Sequence, residues 1–207
     1  MLVSTENKQR IKAESLLAAA RVMRRCDALA LASLNPDYIE RTYLSAAHAQ
    51  ANEIVQGWIS EAQMESWQDS VGNVWGRYTC KETNAPALII GSHLDSVVNA
   101  GKYDGILGVL LGIELGNFLS RHQIDLPFHL DVVGFCDEEG VRFGATLMGS
   151  QALAGKWQPE WTELTDEKGV SLAEAMIEFG LVPSKARDAK RDQESIRGFL
   201  EVHIEQG

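Results

Sequence analysis

The sequence has few cysteines, few basic residues for its acidic content, and no long uninterrupted apolar run. Cys26, Cys80 and Cys136 are three in number, widely separated and without a CxxC pair, which argues against a disulfide framework and fits the reduced thiols of a cytoplasmic protein. Lys and Arg number 19 against 29 Asp and Glu, a formal net charge of -10. Such a field repels phosphate backbones and anionic lipid, so no nucleic-acid partner and no membrane partner is expected, and a small-molecule ligand is. No run approaches the roughly 18 apolar residues of a membrane span, and Met1 to Lys12 lack the apolar stretch of a signal peptide. No internal repeat and no low-complexity segment is evident.

What is present is a chain of 207 residues, 45% hydrophobic, enough for one sizeable core. Ile11, Leu16, Leu17, Val22, Met23 and Leu29 recur at helical spacing between Lys8 and Ser33, predicting one or two amphipathic helices that end before Pro36. Ser45 is a candidate N-cap for a helix to about Ser60, with Ala47, Ala51, Ile54, Val55 and Trp58 inward. Gly72-Asn73 and Gly76 predict a hairpin. Pro86 to Ile90 reads as a strand buried on both faces, Gly105 to Leu119 as a helix, and Phe128 to Cys136 as a second buried strand. Ser171 with Glu174 makes a capping box for a short helix that Gly180 stops. Ser184 to Arg197 reads as charged and solvated, and Gly198 to Ile204 as a last strand. Strand, loop, helix, strand is the order of an α/β fold, here with a mixed, mainly parallel central sheet flanked by helices.

Three of these strands run into groups that metals prefer: His93 and Asp95, then Asp137-Glu138-Glu139, then His203-Ile204-Glu205, with Asp104 in an intervening loop. In open α/β sheets ligands bind at the carboxyl ends of strands, so parallel neighbours would bring these segments to one crevice. Histidine with several carboxylates suits a divalent cation such as Zn or Mn. Each group alone has a plainer explanation. His48, His122 and His129 read as surface or satisfied core residues, Asp137-Glu138-Glu139 could be a solvated turn, and Cys136 reads as an inert strand thiol.

The joint pattern carries more: Gly91-Ser92-His93-Leu94-Asp95, Gly101-Lys102-Tyr103-Asp104-Gly105, Asp137-Glu138-Glu139-Gly140 and His203-Ile204-Glu205-Gln206-Gly207, in this order. From about Arg41 to Gly207, with Asp69 to Gly76 and Glu139 to Gly144, the chain resembles the M20 metallopeptidase-like amidohydrolases. The branch is that of allantoate amidohydrolase, N-carbamoyl-L-amino acid hydrolase and beta-ureidopropionase. The resemblance implies a zinc-peptidase-like catalytic domain and two divalent ions, Zn or Mn, with Co or Ni as alternatives. It implies that Asp104 bridges the two ions, that His93 and His203 complete one, and that Glu139 holds the other. Asp95 would orient His93. Glu138 would be the general base and acid, passing a proton from an activated water to the departing nitrogen of a ureido group. Gln206 would touch substrate.

Members of that family are about twice as long, so the chain is expected to be the N-terminal portion of a catalytic domain, its sheet incomplete at the C-terminus and its lid or dimerisation domain absent. The parent protein is then expected to be a homodimeric hydrolase of a small ureido acid, and this chain alone weakly active or inactive. Apolar surface is expected where the remainder would pack. Allantoate is the substrate the resemblance favours, with N-carbamoyl-L-amino acids second. A different class of function, a non-catalytic metal-binding or interaction module, also fits these residues and would bind metal or partner without turnover.

Overall fold

In a computed structural model, which describes residues 5–205 and side chains from residue 11 onward, the chain folds as a five-stranded mixed sheet flanked by helices. Helix α1 (Thr5–Leu29) is one continuous element, with Val22, Cys26 and Leu29 buried. Helix α2 (Ala46–Glu61) starts where the sequence places its cap: the Ser45 hydroxyl accepts from the His48 amide at 3.2 Å. The hairpin that follows pairs β1 (Glu65–Gln68) with β2 (Val74–Tyr78), and Gly76 lies inside β2 rather than at the turn. Strand β3 (Ala87–His93), helix α3 (Ile106–Arg121) and strand β4 (His129–Phe135) form the βαβ unit. Short helices α4 (Met148–Leu153) and α5 (Leu172–Glu178) precede the last strand, β5 (Ile196–Leu200).

The strand order is β1-β2-β4-β3-β5, antiparallel for β1·β2 and β2·β4 and parallel for β4·β3 and β3·β5. All seven residues of β4 are buried, its apolar residues against both layers and its two polar ones, His129 and Asp131, in hydrogen bonds. Helices α1, α2 and α3 cover one face, packing Val22, Cys26, Leu29, Val55, Ile59, Val109, Leu110 and Ile113 on sheet residues that include Val132. The opposite face carries Trp75, Ile89, Val133, Phe135 and Leu153. A third apolar cluster, including Tyr43, Val71, Cys136, Phe143, Met148, Leu172 and Met176, packs α4 and α5 around the loop that leaves β4.

Two expectations change. The region 184–197 is not simply solvated: it forms 3-10 turns over Pro183–Ala189 and Gln193–Ser195, buries Ala186 and Ala189, and sends Arg191 to the Asp131 carboxylate at 2.6 Å. Counting charges along the segment misses a buried partner 60 residues away in sequence. The last strand is also shorter than its apolar pattern predicts. β5 stops at Leu200, so His203 stands three residues past its end. Phe199, Leu200 and Val202 are 44%, 54% and 47% exposed along this outer edge.

Candidate metal centre

Parallel pairing sets the site. His93, the last residue of β3, stands opposite Phe135, the last of β4, so the segments leaving β3, β4 and β5 emerge at one end of the sheet. Three side chains meet there. His93 Nε2 and His203 Nε2 are 3.2 Å apart, and Asp104 Oδ1 lies 3.6 Å from the first and 3.2 Å from the second. The two imidazoles stack at 5.4 Å between centroids. A second group, His93 with Glu138 and Glu139, also has its ligand atoms within 4.8 Å of one another.

The local chain is built for this approach. Gly105, with φ +66°, begins α3 directly after Asp104, and a Cβ there would come within 2.6 Å of the His93 ring. Only glycine lets the Asp104 turn press against that imidazole without displacing it. Similarly, a Cβ on Gly108 would meet the Val202 carbonyl at 2.3 Å, so α3 admits the tail that carries His203. Ser92 holds the same tail by donating to Glu201 Oε1 at 2.6 Å.

The hydrogen bonds orient the rings. His93 Nδ1 faces the Asp95 main-chain carbonyl at 3.0 Å and His203 Nδ1 faces the Ile204 carbonyl at 2.7 Å. A carbonyl only accepts, so both Nδ1 atoms carry protons and the Nε2 lone pairs are directed at each other and at Asp104. Asp104 Oδ1 is buried and makes no hydrogen bond, and neither does Glu139 Oε1. Two imidazole lone pairs and an unpartnered carboxylate oxygen converging within 3.6 Å form a donor set that fits a divalent cation.

Asp95 does more than orient His93. Its carboxylate is 3.6 Å from His93 Nδ1, farther than its own main-chain carbonyl, and instead accepts from the amides of Glu138 at 3.0 Å and Glu139 at 3.1 Å. One side chain thus ties the ends of β3 and β4 together. Burial opposes its charge, but His93 and those two amides hold the carboxyl below the usual range. Burial likewise pushes the His93 imidazole down, while the Asp95 carboxylate and Glu138 more than offset this and raise it to about 9. In the metal-free state His93 therefore carries a second proton, on Nε2, which a bound cation would displace to reach the lone pair.

Glu138 and Glu139 are half-buried, and Glu139 is raised by burial against the pull of His93. Gln206 lies outside the described residues. Asp137, which the sequence offers only as part of an acidic run, is buried at φ +50° with both carboxylate oxygens unpartnered, and burial beside Asp95 and Glu138 pushes its carboxyl well up. His48 and His129 are core residues as expected: each is buried and accepts at Nδ1 from a main-chain amide, Leu44 and Cys80 respectively, at 3.1 Å. Cys136 is fully buried and donates to the Val71 carbonyl, an inert thiol.

Residues 73–190 match the model of Peptidase family M28, and the chain belongs to that family. Its curated relatives are amidohydrolases. Allantoate deiminase of Arabidopsis thaliana is 41% identical over 174 residues, and N-carbamoyl-L-amino acid amidohydrolase of Geobacillus stearothermophilus is 39% identical over 169; each match covers 82% of this chain. A solved structure of AtUAH in complex with (S)-hydroxyglycine superposes with a TM-score of 0.84 at 32% identity over 91% of this chain. A hydantoinase/carbamoylase family amidase from Burkholderia ambifaria superposes at 0.81 with 28% identity over the same share. The chain spans 33% and 41% of the two curated relatives, and 46% and 45% of the two solved chains. Among the described residues no helix is long and apolar enough to cross a membrane.

Proposed function

We propose that the chain supplies the larger part of a dinuclear metal centre that hydrolyses a ureido C–N bond in a small carboxylic acid. Allantoate is the favoured substrate and an N-carbamoyl-L-amino acid the second choice. The carrying observation is the convergence of His93 Nε2, His203 Nε2 and the unpartnered Asp104 Oδ1. The names of the relatives support the ureido class. The matching family model is that of Peptidase family M28, and the M20-like branch rests on the resemblance of the four motifs alone.

His93, Asp104 and His203 would hold one ion. Because His93 has a single free lone pair, the second group cannot use it as well, and Glu139 with Asp104 is the remaining carboxylate set for a second ion. Zn and Mn both suit this mixture of donors. A divalent cation here supplies Lewis acidity toward the ureido carbonyl and lowers the pKa of water. Glu138 accepts a proton from the attacking water and returns it to the departing nitrogen, which leaves as ammonia. Its place on the loop is fixed by its own amide, bound to Asp95. Asp95 keeps both glutamates oriented and the His93 tautomer set, and Gln206 is a candidate contact for substrate.

The test is calorimetric titration of the metal-stripped chain with Mn(II) and Zn(II), followed by ammonia release from allantoate by the complete protein. Binding that His93→Ala abolishes is the expected result. No binding, or binding indifferent to His93 and His203, overturns the proposal and favours the non-catalytic module.

A further inference from the structure

Arg41 lies between α1 and α2, far in sequence from every group of the candidate centre, yet it is only 2% exposed. Its hydrogen bonds go to two places. Nη1 donates to the carbonyls of Leu29 and Ala32, at 3.1 and 2.8 Å, in the chain that leaves α1. Nε donates to the Leu94 carbonyl at 2.6 Å. The main chain of Arg41 holds the same turn twice more: its amide donates to Ser96 Oγ at 2.9 Å, and its carbonyl accepts from the Ser96 amide at 3.0 Å. Three bonds from one residue therefore fix residues 94–96.

That turn is the support of the centre. Asp95 lies inside it, giving its carbonyl to His93 Nδ1 and its carboxylate to the amides of Glu138 and Glu139. Burying a guanidinium is unfavourable unless it is hydrogen-bonded and its charge is compensated; here burial lowers Arg41 to about 10 and the nearby Asp95 charge offsets this in part. Packing alone would be served by an apolar side chain. A planar fork that bonds two separated chain segments at once is something neither an apolar residue nor lysine reproduces.

We infer that Arg41 is a positioning residue for this centre, fixing the 94–96 turn against the end of α1 and so the direction of His93 and of the Glu138–Glu139 loop. This rests on the metal-centre reading above. Arg41→Lys keeps the charge but cannot bridge both segments. In the purified chain, Mn(II) affinity measured by calorimetry should fall ten- to a hundredfold, the range seen when supports of metal ligands are removed. The His93 Nδ1 proton resonance of the metal-free chain should shift or broaden, with circular dichroism unchanged. Arg77→Lys serves as control: it weakens the buried pair with Asp131, so it should lower the melting temperature and leave both site readouts unmoved.

A lower melting temperature in Arg41→Lys with wild-type Mn(II) affinity and an unmoved His93 proton would reduce Arg41 to packing and overturn the inference. If the wild-type chain binds no Mn(II), the metal-centre reading fails separately, and the His93 proton alone still decides the role of Arg41. Should Arg41→Lys not fold, Ser96→Ala removes one of the three bonds to the turn. It should shift the same proton and weaken Mn(II) by a few fold, and no change in either overturns the inference.

Discussion

The two halves of the sheet treat buried charge in opposite ways. On the antiparallel side, Asp131 is fully buried in β4 and saturated, accepting from Arg77 Nε and Nη2 at 2.7 Å each and from Arg191 Nη1 at 2.6 Å. Asp69, in the hairpin turn, accepts from the amides of Val71 and Asn73, the Asn73 side chain and Trp75 Nε1. On the parallel side, Asp104 Oδ1, Glu139 Oε1 and both oxygens of Asp137 are buried with no hydrogen-bond partner. Among the described residues two further buried atoms lack a partner, His48 Nε2 and Asn52 Oδ1 on α2, but neither belongs to a carboxylate. Folded proteins saturate buried polar atoms almost everywhere, so four unpartnered carboxylate oxygens at converging strand ends mark a place arranged for something other than stability. The first set holds the fold together, and the second is held by it.

That contrast is sharpest for single carboxylates. Glu138→Gln removes a proton carrier without changing shape, so on the proposed function ammonia release should fall about a thousandfold while metal stoichiometry stays constant. Steady-state ammonia release beside a metal titration measures both, and retained turnover would remove Glu138 from the chemistry. Asp131→Ala should do the reverse. It leaves two partly buried guanidinium groups without their acceptor and should cost about 3 kcal/mol in urea unfolding, with Mn(II) affinity of the folded chain unchanged. A parallel loss of metal affinity would mean that the two halves are not separable.

A third effect is pH-dependent and belongs to the packed region. Burial lowers the His48 imidazole from its ordinary 6.5 to about 4, Arg41 adding to the fall and Asp95 opposing it. The unfolded chain therefore binds a proton near pH 6.5 that the folded chain refuses until about 4. The contribution is complete above pH 6.5 and is lost as pH drops toward 4, by about 3 kcal/mol at most. His48→Gln should flatten the stability profile over that window. A slope as steep as wild type would assign acid sensitivity to other groups. His93, raised rather than lowered, has the opposite sign, and metal binding should release its proton.

Much of the site was legible because the sheet carries it. Apolar runs ending in His93, Asp137 and His203 state both the strands and their cargo, and parallel pairing then leaves one place for the groups to meet. The Ser45 and Ser171 caps were equally readable, since capping is local. What sequence withheld was long-range. Arg41 stands in the connection between two predicted helices, and only the fold shows it sealed against Leu94. Arg191 hides in a charged run for the same reason. Spacing puts Asp95 beside His93 without saying which of its atoms orients the ring; in the fold its carbonyl takes that role and its carboxylate binds the neighbouring loop. Spacing identifies which residues approach, and the backbone path decides which of their atoms do.

The smallest effect gives the cleanest control on this division. Ser171 and Glu174 form a reciprocal capping box, with Ser171 Oγ accepting from the Glu174 amide at 3.2 Å and Glu174 Oε2 accepting from the Ser171 amide at 2.8 Å. Ser171→Ala leaves one helix amide without its partner and should cost about 1 kcal/mol, or roughly 2–4 °C in melting temperature for a chain of this size. Helix α5 shares an apolar cluster with the loop beyond Glu139, which includes Leu172, Met176 and Phe143. If that cluster is passive, the melting temperature falls and Mn(II) affinity stays at the wild-type value. If affinity falls too, α5 transmits to the centre through Phe143, and the line between the half that stabilises and the half that binds lies deeper in the molecule than the hydrogen bonds place it.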